Sequence, residues 1–378
     1  MDYSSKEIMT EADCRYMHCA IELAKKGTGW TSPNPLVGAV IVRDGRIIGE
    51  GYHERYGDLH AERNALKHCT ESPEGAVMYV TLEPCCHHGK QPPCTEAVIE
   101  AGIRKVYIGS DDPNPLVAGK GLSLLRSRGI EVVTGVCKEE CDALNAVFFH
   151  YIRTKTPYVV MKYAMTMDGK IAAKTGDSKW ITDEKARARV HMDRHKYTGI
   201  MVGVGTVLKD DPMLNCRAAN TKSPVRIICD THLNTPLTSQ IVQTADVYQT
   251  IIATCCDKEE KQAAYIRKGC RILQTDEKNG HVDLNALMQQ LGREGIDSIL
   301  LEGGPTLNWS ALESGIVHKV QAYIAPKLLG GAGAKSPIEG SGISKMSEAV
   351  MLKNTRVTQI GEDFLIESEV TPNVYRDC

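Results

Sequence analysis

Five side chains able to ligate a soft metal fall within "LEPCCHHGKQPPC", residues 82–94: Cys85, Cys86, His87, His88 and Cys94. A sixth, His60, lies upstream in "HAE", two residues before Glu62. Imidazole and thiolate suit zinc, in a tetrahedron that a catalytic site leaves open at one corner for water. Cys85 and Cys86 are adjacent and point in different directions in an extended turn, which makes them poor joint ligands. A wholly local set, such as Cys86 with His88, would close the site and leave no task for His60 or Glu62. The allocation that keeps a corner open is His60, Cys85 and Cys94, with Glu62 unligated. Glu62 then becomes the general acid/base, taking a proton from water and passing it to the atoms that react.

Such donors need rigid elements to present them. The strand "AVMYVTL" runs directly into Pro84-Cys85, and Cys94 opens a helix preceded by Pro92 and Pro93. Another helix starts near His60. A thiol at a helix N-terminus ionises more readily, because the backbone dipoles favour its anion. Around these lie a helix at about 11–27, a hairpin turning at Asp44-Gly45 and the strand "KVYIGS". A helix near 120–128, the strand "IEVVTG" and a long helix over about 138–152 follow. Strands alternating with helices imply a largely parallel sheet covered on both faces, with sites at the strand C-termini. The polar stretch around Pro157 marks a boundary near 153–157, giving expected domains 1–153 and 154–378. The second half repeats the alternation, with "YVVMKYAM", a helix at about 183–196, "GIMVGV", "VRIICD", "TIIAT", a helix near 283–294, "SILLEGG", a helix from Pro305 and "KVQAYIAPKLL". The last dozen residues are polar and are expected to fray.

Composition narrows the class. A chain of 378 residues exceeds one ordinary core. Hydrophobic content of 42% and charged content of 24% fit a soluble globular protein. A net charge of −2 with 5% aromatics argues against a nucleic-acid-binding protein merely stabilised by zinc. No apolar run has membrane-spanning length, and "MDYSSKEIMTEADC" lacks a signal-peptide pattern, so a cytoplasmic protein with no membrane partner is expected. The fourteen cysteines are then expected to be reduced. Cys137 and Cys141 have helical i, i+4 spacing, but no His or Cys cluster accompanies them, and they read as structural. His191 and His195 share that spacing without the glutamate of H-E-x-x-H, so no second metal is expected there.

The His-x-Glu followed by Pro-Cys and a second Cys is the pattern of zinc-dependent deaminases, although eight residues, not two, separate Cys85 from Cys94. "SPNPLVGAVIV", "HAERNAL", "YVTLEPCCHHGKQPPC" and "DPNPLVAGKG" together resemble the deaminase half of the RibD family of bifunctional riboflavin-biosynthesis proteins. "KYAMTMDGKIA", "SKWIT", "VGVGTVLKDDPMLNCR" and "LEGGPTLN" resemble its reductase half in the same order, so the likeness covers nearly the whole chain. It implies a cytidine-deaminase-like three-layer α/β/α domain followed by a dihydrofolate-reductase-like α/β domain. It also implies a small-molecule substrate, a pyrimidine ribosyl phosphate, and a homo-oligomer. The implied reactions are hydrolytic deamination of 2,5-diamino-6-(5-phosphoribosylamino)pyrimidin-4-one with one Zn2+ per chain, then NADPH-dependent reduction of ribosyl to ribityl. The competing reading is a nucleotide or base deaminase fused to a reductase of different specificity. Gln91 stands where the family often has Thr, and Cys86 where Ser is commoner.

Within that resemblance Asn34 is a candidate to bind the pyrimidine, since its amide both donates and accepts. His87 and His88 either line the pocket or solvate the loop. In the second half no complete G-x-G-x-x-G follows a strand. Glu302-Gly303-Gly304 ends one instead, and Pro305 starts a helix whose N-terminus favours a phosphate. The resemblance implies substrate contacts from Lys162, Ser178, Arg194, Leu214, Arg217 and Glu302, the arginines suiting a phosphate. It implies NADPH contacts from Ala164, Trp180, Thr206, Asp210, Gly303 and Gly304.

Overall fold

Alternation along "GAVIVR" explains how the first sheet is buried on both sides. In β1 (Gly38–Arg43), Ala39 and Ile41 pack into one core cluster, Val40 and Val42 into another. Successive strand side chains point to opposite faces, so an uninterrupted apolar strand needs cover on both. The computed structural model describes residues 9–115 and 117–371, and divides into two units between Thr154 and Lys155.

In the first unit, Asp44 and Gly45 both take positive φ (50° and 74°), as a two-residue hairpin requires, and lead into β2 (Arg46–Tyr52). The other strands are β3 (Val77–Leu82), β4 (Lys105–Ser110) and β5 (Glu131–Thr134), in sheet order β2-β1-β3-β4-β5. β1 is antiparallel to both neighbours, and β3, β4 and β5 are parallel. Helices α1 (Glu11–Lys25) and α5 (Lys138–Leu144) supply Met17, Ala20 and Cys141 to the cluster on one face. Helices α2 (Ala61–Lys67), α3 (Cys94–Glu100) and α4 (Lys120–Ser127) supply Ala65, Val98 and Leu125 to the other. The result is the expected three-layer α/β/α arrangement. The long helix expected over 138–152 is instead broken at Asn145, between α5 and α6 (Ala146–Thr154). Asn145 is buried, and its amide accepts from the Leu36 backbone N–H (2.8 Å) and donates to the Leu36 carbonyl (2.9 Å). That pairing fixes the turn where α-helical spacing alone would continue.

In the second unit the order is β6 (Tyr158–Thr166), α7 (Glu184–Lys196), β7 (Gly199–Gly203), α8 (Val204–Asp210) and β8 (Val225–Cys229). Next come α9 (Gln240–Gln243), β9 (Thr250–Thr254), α10 (Glu259–Ile266), β10 (Arg271–Gln274), and the short pair β11 (Glu277–Lys278) and β12 (His281–Val282). The chain ends through α11 (Leu284–Arg293), β13 (Ser298–Leu301), α12 (Pro305–Glu313), β14 (Val317–Ala325), β15 (Leu352–Ile360) and β16 (Asp363–Val370). Nine strands form one sheet in the order β10-β9-β8-β7-β13-β6-β14-β16-β15, parallel from β10 to β14 and antiparallel beyond. Leu287 and Leu291 of α11 join one core cluster, Ile241 of α9 and Tyr265 of α10 another. The expectation of fraying over the last dozen residues fails through Val370. β16 is paired on both sides, and its Leu365 is buried beside Tyr323; residues 372–378 lie outside the described residues. Among the described residues no helix is long and apolar enough to cross a membrane.

Candidate active site

His60 is the N-cap residue of α2, in extended conformation, which leaves its ring free to face away from the helix. Glu62 follows in the first turn and is buried. β3 ends two residues before Pro84, so Cys85 leaves the sheet at a strand C-terminus; Cys94 begins α3 and is fully buried. The fold brings these three donors together. His60 Nδ1 lies 3.5 Å from Cys85 Sγ and 3.3 Å from Cys94 Sγ, and the three donor atoms all lie within 4.8 Å of one another. Cys86 and His88 are not in this group.

Two tethers hold the donors in register. Arg63, the next residue of α2, donates to the carbonyls of Pro92 (3.2 Å) and Pro93 (2.8 Å) and so fixes the start of α3. Glu83 accepts from the backbone N–H groups of Gly119, Gly121 and Leu122 (3.0, 3.1 and 3.3 Å), anchoring the β3 end to the start of α4. The electrostatics suit a soft cation. A hydrogen bond from Cys94 holds the Cys85 thiol down at about 4, against burial, while Cys94 is pushed up by the same bond. The hydrogen bond to Cys85 raises His60, and burial raises Glu62. Two cysteine sulfurs and one imidazole, with a carboxyl group adjacent, fit zinc's donor preferences with one corner open.

His60, Glu62 and Cys85 border a cavity of about 240 Å³, also lined by Asn34, His53, His87, Lys90, Asp112 and Phe148; Cys94, fully buried, is not among the lining residues. His53 Nδ1 faces the Leu59 carbonyl (3.1 Å) and donates to it, so its Nε2 accepts from Asn34 Nδ2 (3.2 Å). Burial lowers the His53 pKa and keeps the ring neutral, as that pairing needs. Asn34 is thereby oriented with its carbonyl oxygen as a spare acceptor. Burial pushes Asp112 up to about 6. His87 lines the cavity; His88 is not among the lining residues. Sequence reasoning missed His53, Lys90, Asp112 and Phe148. His53 and Asp112 follow β2 and β4 closely, and strand ends were the available signal.

The second unit holds a larger cavity of about 540 Å³. Of the residues expected there, Ser178, Thr206, Asp210, Glu302, Gly303 and Gly304 line it. Gly304 is the N-cap of α12, with Pro305 in the first helical position, so the free N–H groups of that turn face the cavity edge. Arg194 holds Glu302 by two bonds (Nε–Oε1 2.8 Å, Nη2–Oε2 2.9 Å) and also donates to the Asn215 carbonyl. Burial would raise the Glu302 carboxyl, but Arg194 and then Lys162 hold it down at about 2. Lys162 on β6 is lowered by burial, and its Nζ lies 5.5 Å from the Tyr323 ring centroid. Lys162, Arg194, Leu214, Arg217, Ala164 and Trp180 are not among the lining residues. Leu214 is buried at φ 51°, next to Met213, whose carbonyl accepts from the fully buried Arg226. Arg217 is exposed and bonds His191; Trp180 is 60% exposed, with the Arg187 guanidinium 4.5 Å from its ring centroid.

Two family models match the chain: a cytidine and deoxycytidylate deaminase zinc-binding region over residues 10–110, and a RibD C-terminal domain over residues 157–366. Riboflavin biosynthesis protein RibD of Actinobacillus pleuropneumoniae is 60% identical over 363 residues, 96% of each chain. Its counterpart in Escherichia coli (strain K12) is 39% identical, over 92% of this chain and 96% of that one. A crystal structure of a diaminohydroxyphosphoribosylaminopyrimidine deaminase/5-amino-6-(5-phosphoribosylamino)uracil reductase from Thermotoga maritima superposes with TM-score 0.86 at 38% identity, covering 95% of this chain and 99% of that one. Acinetobacter baumannii RibD, form 1, gives 0.85 at 36% identity, with 96% and 99% covered.

Proposed function

The chain belongs to the RibD family, bifunctional enzymes of riboflavin biosynthesis that join a zinc-binding deaminase to an NADPH-using reductase, and from that premise we propose how its residues divide the work. Residues 1–153 form the deaminase domain and 154–378 the reductase domain. The substrate is 2,5-diamino-6-(5-phosphoribosylamino)pyrimidin-4-one, the class named for the Thermotoga maritima relative. The observation carrying this reading is the convergence of His60, Cys85 and Cys94, with His60, Cys85 and buried Glu62 lining one cavity.

His60, Cys85 and Cys94 hold the zinc. When bound, it supplies Lewis acidity and lowers the pKa of water to about 7. Glu62 would take a proton from the attacking water, deliver it to the ring nitrogen beside the carbon under attack, and later pass a proton to the departing amine. Overall, water and an exocyclic amine become a ring carbonyl and ammonia. Asn34, oriented by His53, accepts from the pyrimidine.

In the reductase domain NADPH supplies a hydride when bound. Gly303, Gly304 and the start of α12 receive a cofactor phosphate, with Ala164, Trp180, Thr206 and Asp210 as further cofactor contacts. Lys162, Ser178, Arg194, Leu214, Arg217 and Glu302 contact the ribosyl substrate, and Lys162 anchors it or gives a proton as the C1 carbon is reduced. The enzyme works in the cytoplasm as a homo-oligomer on this reading; light scattering after gel filtration tests the assembly.

The deciding experiment follows ammonia release and NADPH oxidation separately. Glu62→Gln should lower ammonia release by at least roughly 10²–10⁴-fold while zinc content is unchanged. Already deaminated substrate should restore NADPH oxidation in the same variant. Deamination at the normal rate by Glu62→Gln would falsify the assignment.

A further inference from the structure

Cys137 reads from the sequence as structural because no His or Cys cluster lies near it in the chain. Folding supplies both. His18 of α1 places Nε2 3.0 Å from Glu140 Oε1, and the donor atoms of His18, Cys137 and Glu140 all lie within 4.8 Å of one another. Burial, and then the neighbouring Cys14 thiol, push Cys137 up to about 12, so a cation there would have to displace its proton. Cys14 and His18 are four residues apart on α1 and share a face, and Cys137 is the N-cap of α5 with Glu140 in its first turn. Two packed helices therefore share the three donors. None of them lines the deaminase cavity.

We propose that His18, Cys137 and Glu140 form a second metal site that takes a zinc-type divalent cation and clamps α1 to α5. One sulfur, one imidazole and one carboxylate are a set that suits zinc and disfavours magnesium or calcium, which take oxygen ligands. Bond lengths of about 2.0–2.3 Å place tetrahedral donors roughly 3.3–3.8 Å apart, so the observed spacing needs only small side-chain rotations. His18 and Glu140 are half exposed (50% and 56%), which gives an ion a path from solvent. His18 from α1 and Cys137 and Glu140 from the start of α5 tie the two helices through the ion, so its role is structural.

The test uses the full chain, reduced, stripped of metal and titrated with Zn2+ against a chromophoric chelator. The wild type should bind two equivalents. His18→Gln, Cys137→Ser and Glu140→Gln should each weaken the second by more than the roughly 10–100-fold that losing an outer partner costs, while zinc-dependent ammonia release is retained. With Co2+ in place of Zn2+, the second equivalent should give thiolate-to-metal absorption that Cys137→Ser abolishes. A single equivalent in the wild type at excess Zn2+, or a second one of equal affinity in all three variants, would overturn the proposal. Substituting His60 removes only the first equivalent, so failure here is distinguishable from failure of the deaminase assignment.

Discussion

Glu302 is kept charged in a place where burial alone would protonate it. Arg194 bonds both oxygens, Lys162 adds a second positive charge, and the carboxyl falls from its usual 4.5 to about 2. A depressed carboxyl pKa contributes stability that is present above the unfolded value and is lost as pH falls through the folded one. The reductase unit should therefore weaken progressively between about pH 4.5 and pH 2. Arg194→Gln strands the buried carboxylate and should cost about 3–5 kcal/mol at pH 7, read from denaturant melts. In that variant the carboxyl rises again, so the acid-induced loss should begin at higher pH. Identical acid limbs in the two proteins would assign the acid sensitivity to other groups. Glu83 is held by a different partner set: three amide N–H groups converge on it. Glu83→Gln replaces one acceptor oxygen by a donor, and should lower stability by about 1–3 kcal/mol and loosen Cys85. A chelator competition should then show weaker zinc binding, with NADPH oxidation of deaminated substrate unaltered.

At the scale of elements, α2 decides whether the deaminase site exists, because it carries His60 at its cap and Glu62 in its first turn. It packs on β2 with no room to spare: a Cβ at Gly51 would lie 2.2 Å from the Ala65 backbone nitrogen and 2.6 Å from the Ala61 carbonyl oxygen. Both are backbone atoms, so the helix itself must shift. Gly51→Ala should cost about 1–3 kcal/mol and lower zinc affinity and ammonia release together. A variant that keeps full zinc affinity would mean that α2 is not the rigid support. The break at Asn145 acts similarly by seating Leu36, two residues beyond Asn34.

At the scale of the molecule, each unit has its own sheet, its own core clusters and its own cavity. The two activities should therefore separate under metal removal. Chelator treatment should abolish ammonia release and leave NADPH oxidation of deaminated substrate at its starting rate. Loss of both rates together would show that the reductase unit depends on metal held by the first.

The sequence by itself determined the two α/β halves, their boundary region and the donor types at His60, Cys85 and Cys94. Strand alternation, the turn at Asp44-Gly45, and a Cys placed at a strand end or helix start are local signals, readable over a few residues. Only the tertiary structure decided which distant groups meet. Leu36 and Asn145 are 109 residues apart, and His18 and Glu140 are 122 apart. His53 could not be read as the residue that orients Asn34, nor Arg63 as the tie to Pro92 and Pro93, because these partners lie 19, 29 and 30 residues away in the chain. The same distance hid the donors around Cys137. Periodicity describes which face a residue presents, and packing alone chooses what that face meets.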